Sequence, residues 1–159
     1  MGILALVTPD GSVRQVADGV AFPNGMVVTP DNATLILAES YGNRLTAFDI
    51  AADGSLSNRW VWAALDGGFL PDGICLDAEN AVWYADVPNK RCVRVREGGE
   101  VLQTIELDRG CFACMLGGVD NRTLFLMANA WGGPANMAEA ARTGQVFTAQ
   151  APAPGVGWP

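Results

Sequence analysis

Short apolar runs alternate with polar turns along this chain. The runs are four to six residues long and are filled by β-branched and aromatic residues, and Pro-Asp, Asp-Gly, Gly-Gly or Asn-containing turns separate them. This pattern is typical of short antiparallel strands. Asp53-Gly54 and Gly98-Gly99 predict hairpin turns, because both pairs tolerate positive φ. One stretch departs from the pattern: Ala135–Arg142 is rich in Ala, Glu and Met and predicts a short helix.

The strand pattern is repeated within the chain. Phe22–Val28 (FPNGMVV) and Leu70–Leu76 (LPDGICL) match at an offset of 48, and each is followed by a turn and another apolar strand. A third copy keeps only the middle portion, because Asp120–Leu126 matches Asp31–Leu37 at an offset of 89. Repeats of roughly 40–50 residues with four strands each are the signature of a β-propeller blade. The predicted fold is therefore all-β, a single partial propeller of four-stranded antiparallel blades.

The repeat also predicts where the blades lie. Residues 5–15 match residues 93–103 at an offset of 88, so we expect the chain to begin at the third strand of a blade. The predicted units are a half blade (about 3–19), two blades (about 20–64 and 68–108), an interrupted last blade (about 111–150) and an extended tail (151–159). Propellers close with about four to eight blades. We therefore expect a homodimer or pairing with a missing N-terminal half, or else a misassigned start in the gene model.

Composition excludes some classes of protein. Half of the 159 residues are hydrophobic and 17% are charged, which favours a folded domain. The net charge is −7 and the basic residues are scattered, so nucleic acid is not an expected partner. The chain has no apolar run of the roughly 18–20 residues that cross a bilayer, and its start has no basic secretory leader. We expect no membrane association and a cytoplasmic location.

Four cysteines leave two alternatives open. Cys111 and Cys114 have CxxC spacing, which is found in redox motifs and in half of a zinc site, and Cys75 and Cys92 are the other two. A zinc site needs further ligands, yet the sequence has no histidine and no second CxxC. The pattern therefore favours buried thiols within strands.

Two polar residues occupy the same place in successive repeats. Asn24 lies in Pro-Asn-Gly and Asp72 in Pro-Asp-Gly, each at the start of the first strand of its blade. That end of a propeller strand faces the central channel, so both side chains are expected to point there. An amide oxygen and a carboxylate suit a hard divalent cation. Asn and Asp are also ordinary turn residues, which is the competing interpretation. Ala113 is expected in the matching position of the last blade and has no ligand atom.

Other side chains allow a structural role as well as a functional one. Glu39 and Asp86 end the second strands of their repeats and either line the channel or bond turn amides, Arg44 and Arg91; the second interpretation is favoured. The tryptophans are expected to pack between blades, with Trp131 as a candidate for the border of a ligand mouth. The five tryptophans are Trp60, Trp62, Trp83, Trp131 and Trp158.

Several segments together resemble the gluconolactonase and regucalcin (senescence marker protein) family of six-bladed propellers. The resemblance covers nearly all of this chain and corresponds to the C-terminal half of the family's length. The matching segments are Phe22–Met26, Leu45–Asp49 with Gly54–Asn58, Leu70–Asp77 and Cys111–Gly118.

The resemblance implies a metal-dependent hydrolase of sugar lactones or related esters. By this resemblance Asn24 and Asp72 are two ligands of one channel cation, and Asp72 also has the place of the catalytic base. Ca²⁺ is the first expectation, with Zn²⁺ and Mg²⁺ as alternatives, and no other cofactor is implied. The family's glutamate ligand and its substrate contacts in the early blades have no counterpart here, so activity is expected to need a dimer or a second half. The alternative function is a non-catalytic propeller fragment or binding scaffold.

Overall fold

The structure is a computed structural model that describes residues 1–65, 68, 70–133 and 142–157. Within these residues, β1 (Gly2–Val7) and β2 (Val13–Val20) form a hairpin. The first four-stranded blade contains β3 (Pro23–Val28), β4 (Thr34–Glu39), β5 (Arg44–Ile50) and β6 (Leu56–Ala64). The second contains β7 (Pro71–Leu76), β8 (Val82–Asp86), β9 (Arg91–Val95) and β10 (Val101–Glu106). The last blade contains β11 (Gly110–Gly117), β12 (Thr123–Asn129) and β13 (Gln145–Gln150).

The strands pair in sequence order, and every pairing is antiparallel. The all-β class and the four-stranded antiparallel blades predicted from the sequence are confirmed. A 3₁₀ turn over Ser40–Gly42 follows β4. The predicted helix Ala135–Arg142 lies outside the described residues except for Arg142, which is in a bend.

Apolar cores fill the spaces between neighbouring sheets. Side chains of β8 alternate between two of them, because successive residues of a strand point to opposite faces. Tyr84 packs in the core between the two four-stranded blades, whereas Trp83 packs in the core against the last blade. Trp60 and Trp62 join the first of these cores, so the expected inter-blade packing is confirmed for three tryptophans. Trp158 lies outside the described residues.

The innermost strands β3, β7 and β11 approach each other backbone to backbone. A Cβ atom added to Gly25 would lie 2.6 Å from the carbonyl oxygen of Asp72. A Cβ atom added to Gly73 would lie 2.8 Å from the Cα of Ala113. Such distances leave no room for a side chain, so these two positions need glycine. The close approach brings the residues next to these glycines together.

The C-terminal tail crosses from the last blade to the second four-stranded blade. The Gly155 amide donates to the carbonyl of Asn121, and the Ala78 amide donates to the carbonyl of Pro154, both at 2.8 Å. Ala151 and Ala153, which belong to the tail, are buried. The tail is thus fixed by backbone hydrogen bonds to both blades.

One edge of the hairpin has no pairing partner among the described residues. β1 pairs with β2, and its other edge borders a cavity of about 550 Å³ between the hairpin and the first four-stranded blade. Ile3, Leu6, Met26 and Leu37 are among its lining residues, and it also reaches Asn24. An unpaired strand edge beside an apolar cavity is a template for another β-strand.

Candidate metal centre

Two β-bulges position the predicted ligands. The ladder between β3 and β4 shifts register at Asn24 and Gly25, and the ladder between β7 and β8 shifts at Asp72 and Gly73. Bulges re-aim side chains and interrupt the regular pleat. The same irregularity at the same place in adjacent innermost strands turns Asn24 and Asp72 towards each other.

The side chain of Asn24 lies near enough to the Asp72 carboxyl to lower its pKa. Asn24 Nδ2 also donates to Ser40 Oγ at 3.4 Å, and Ser40 Oγ donates to the carbonyl oxygen of Pro71 at 2.7 Å. These bonds engage the NH₂ of the Asn24 amide and leave its Oδ1 for a cation. Ser40 was missed by sequence reasoning, because the second repeat has Val87 at the matching position and so gives no repeated polar signal.

Asp72 lies in an environment that disfavours its charge. Burial raises the pKa of the Asp72 carboxyl, and the hydrogen bond from Asn24 opposes this shift only in part. None of the ion pairs among the described residues involves Asp72. A half-buried carboxylate with the Asn24 amide near it and no arginine partner fits a divalent cation, because the cation would supply the missing positive charge.

Glu39 has the opposite environment. Its fully buried carboxylate accepts hydrogen bonds from the Ala21 amide, Arg44, Thr46 and Arg59. Burial alone would raise the pKa of Glu39, but these hydrogen bonds outweigh it and lower the pKa from its ordinary value of 4.5 to about 2. Glu39 is therefore a structural anion, as the favoured interpretation of the sequence predicted.

Asp86 repeats this arrangement in the second four-stranded blade. It is fully buried and accepts hydrogen bonds from the Leu70 amide, Asn89 and Arg91. Arg91 Nε lies 3.0 Å from Asp86 Oδ2. The structural role predicted for this residue is also confirmed.

The prediction that Ala113 matches Asn24 and Asp72 in the last blade is wrong. The ladder between β11 and β12 shifts register after Cys111, so Phe112 takes the bulge position and Ala113 takes the place of the glycine. The sequence prediction had placed the last blade one residue out of register with the other two. Phe112 also has no ligand atom, and its ring packs edge-on against Trp131 with centroids 5.7 Å apart. That Trp131 borders a ligand mouth stays a prediction.

No group of three or more His, Cys, Asp or Glu side chains in the described part of the chain is arranged to hold a metal ion. The Asn24–Asp72 pair is therefore at most part of a coordination shell. The described residues also include no helix long and apolar enough to cross a bilayer.

The antiparallel blades define a partial β-propeller. Its innermost strands β3 and β7 carry Asn24 and Asp72 at a candidate channel site. The family model for the SMP-30/gluconolactonase/LRE-like region matches residues 1–130. The chain belongs to this family, as the sequence resemblance predicted.

Individual relatives agree with this assignment. Regucalcin from Xenopus laevis is 30% identical over 130 residues, which are 79% of this chain and 43% of that protein. The 6-deoxy-6-sulfogluconolactonase of Pseudomonas putida is 27% identical over 162 residues, covering 99% of this chain and 56% of that protein. A calcium-binding regucalcin structure from Agrobacterium tumefaciens superposes with a TM-score of 0.74 at 20% identity, covering 91% of this chain and 50% of that one. The chain thus spans about half the length of these relatives.

Proposed function

We propose that this chain forms one half of a sugar-lactone hydrolase whose channel holds a divalent cation between Asn24 and Asp72. The observation that carries the proposal is the position of these two residues at matching bulges of adjacent innermost strands, where an added Cβ on Gly25 would lie 2.6 Å from the Asp72 carbonyl oxygen. Ca²⁺ is the preferred ion, because the two donors are oxygens and a similar structure is described as calcium-binding. Mg²⁺ and Zn²⁺ remain the alternatives.

The proposed roles follow from the environment of each side chain. Asn24 would offer its amide Oδ1, which Ser40 keeps in place by accepting from Nδ2. Asp72 would contribute one carboxylate oxygen as a ligand and use the carboxylate to orient and deprotonate a water. A bound cation supplies Lewis-acid polarisation of the lactone carbonyl.

We also propose that the rest of the site comes from a second copy of the chain or from an N-terminal half. The free edge of β1 and the apolar cavity beside it support this, because inner strands of a blade would pair there. That cavity reaches Asn24, so an inserted strand would lie next to the proposed ligands. The cytoplasmic location expected from the sequence stays a prediction.

An assay that monitors the hydrolysis of a glucono-lactone through the protons it releases tests the function. We expect a rate above spontaneous hydrolysis in Ca²⁺, lost with a chelator and reduced at least 100-fold by Asp72→Ala, as expected when a general base is removed. Asp49→Ala is the matched control, because Asp49 is exposed on β5. A wild-type rate equal to spontaneous hydrolysis at every protein concentration, with either Ca²⁺, Mg²⁺ or Zn²⁺, would leave the binding-scaffold alternative.

A further inference from the structure

Four cysteines from two blades converge in one core. Cys75 is on β7 and Cys92 on β9, whereas Cys111 and Cys114 are on β11. All four are buried free thiols in the apolar core between the second four-stranded blade and the last blade. The sequence prediction of buried thiols is confirmed, but their convergence was not foreseen, because 39 residues separate Cys75 from Cys114.

One pair is already in contact across the blade boundary. Cys75 Sγ lies 3.9 Å from Cys114 Sγ, a distance at which the two sulfur atoms touch. The Cys114 thiol also lies 3.4 Å from the carbonyl oxygen of Trp83 and 3.6 Å from that of Gly73. Both carbonyls belong to the neighbouring blade, so Cys114 is held against that blade.

The two strands that carry this pair approach each other closely. Gly73, two residues before Cys75, and Ala113, next to Cys114, are so near that a Cβ atom added to Gly73 would lie 2.8 Å from the Ala113 Cα. A disulfide needs an S–S length of about 2.05 Å, so the sulfur atoms must approach by roughly 2 Å. Rotation of the two cysteine side chains with a small strand shift supplies movements of that size.

We propose that Cys75 and Cys114 form a redox-sensitive clasp: oxidation joins them in a disulfide that fastens the innermost strands of adjacent blades. A thiolate metal site is the competing chemistry, but no group of three or more such ligands in the described residues is arranged for a metal. The contact with Cys114 and burial raise the pKa of the Cys75 thiol, so oxidation of the folded protein is expected to be slow.

The oxidation proceeds by thiol–disulfide exchange with a small disulfide such as glutathione disulfide. The Cys75 thiolate attacks one sulfur of the reagent, forming a mixed disulfide and releasing one glutathione thiolate. The Cys114 thiolate then attacks the Cys75 sulfur and releases the second glutathione. The protein loses two protons and two electrons, and the reagent is reduced to two thiols.

Equilibration of the protein in glutathione redox buffers tests the clasp. After acid quenching and alkylation in denaturant, non-reducing peptide mapping identifies the linked cysteines. We expect two thiols to disappear together in a Cys75–Cys114 link that dithiothreitol reverses. The oxidised protein should melt roughly 5–10 °C higher, because the link closes a loop of about 40 residues. A map showing only Cys111–Cys114 or Cys92–Cys111 links, single glutathione adducts, or four unmodified thiols would overturn the proposal.

Two variants separate the clasp from general thiol reactivity. Cys114→Ser should lose the cross-link, whereas Cys92→Ser, which removes a thiol of the same core, should keep it. The mapping of the wild-type protein stands even if a variant folds poorly. A Cys75 link to Cys92 in the Cys114→Ser variant at the same redox potential would show that proximity in the unfolded chain decides the pairing, and would contradict the proposal.

Discussion

Buried carboxylates in this chain differ in the charge that surrounds them. Glu39 and Asp86 are fully buried and each has an arginine partner, whereas Asp72 has the Asn24 amide. Burial disfavours an ionised carboxylate unless donors compensate for the lost water. The first two therefore stabilise the fold as anions, and Asp72 is left with an unfavourable charge that a bound cation would relieve.

Glu39→Gln should destabilise the protein by about 2–4 kcal/mol, because Arg44 and Arg59 lose a buried anionic partner. Since the folded pKa of Glu39 is about 2 against an ordinary 4.5, the wild-type advantage is complete above pH 4.5 and is lost as the pH falls towards 2. Urea unfolding of the wild-type protein and of Glu39→Gln at several pH values measures this difference in stability. Glu100→Gln, in an exposed pair with Arg96, should change stability by less than about 0.5 kcal/mol.

Asp72→Asn should have the opposite effect when a chelator is present. A raised folded pKa means that ionisation of Asp72 costs stability, so the cost is absent at low pH and appears as the pH rises above the ordinary value of 3.8. The variant should therefore unfold at a higher urea concentration than wild type at pH 7, with the two curves merging near pH 3. A less stable variant at pH 7 would show that the Asp72 carboxylate is already compensated within the chain.

At the level of strands, the bulges in β3 and β7 depend on glycine. Gly25→Ala places a Cβ atom 2.6 Å from both the Asp72 carbonyl oxygen and the Ile74 amide nitrogen, so the innermost strands must move apart. We expect a loss of about 1–3 kcal/mol in unfolding free energy. Gly144→Ala is the control, because an added Cβ there meets nothing within 4 Å and the cost should stay below about 0.5 kcal/mol. Equal losses of unfolding free energy in the two variants would show that the close approach of the innermost strands does not require glycine at position 25.

The sequence allowed the blades and the Asn24–Asp72 pair to be predicted because both are written as repeats. Short strands, turn residues and the 48-residue offset are local signals that survive without a structure. Ser40 and the four-thiol core carry no repeated signal, since each depends on side chains that meet only after two blades pack. Ala113 was misplaced because the last blade has Cys-Phe-Ala where the other two have Pro-Xaa-Gly, so its sequence does not fix which residue aligns with Asn24 and Asp72.

For the whole molecule, the unpaired edge of β1 predicts association. Ile3, Val7 and Val13 of the hairpin are more than half exposed, and Ile3 also lines the apolar cavity that reaches Asn24. Light scattering after size-exclusion chromatography should give twice the chain mass of 16.7 kDa if a second copy completes the ring. Ile3→Lys should reduce the dimer fraction, and Val119→Lys, an exposed position in the turn between β11 and β12, should leave it unchanged. A stable wild-type monomer would exclude the second copy and favour an N-terminal half as the source of the remaining blades.

Thermal unfolding in the presence of Ca²⁺ tests the proposed cation site without a substrate or a turnover. Ca²⁺ should raise the melting temperature of the wild-type protein and of Asp49→Ala. At saturating Ca²⁺ the rise should be proportional to the logarithm of the Ca²⁺ concentration. Asp72→Ala and Asn24→Ala should lose most of that rise. The same rise in all four proteins, or none in any, would contradict a cation site between Asn24 and Asp72.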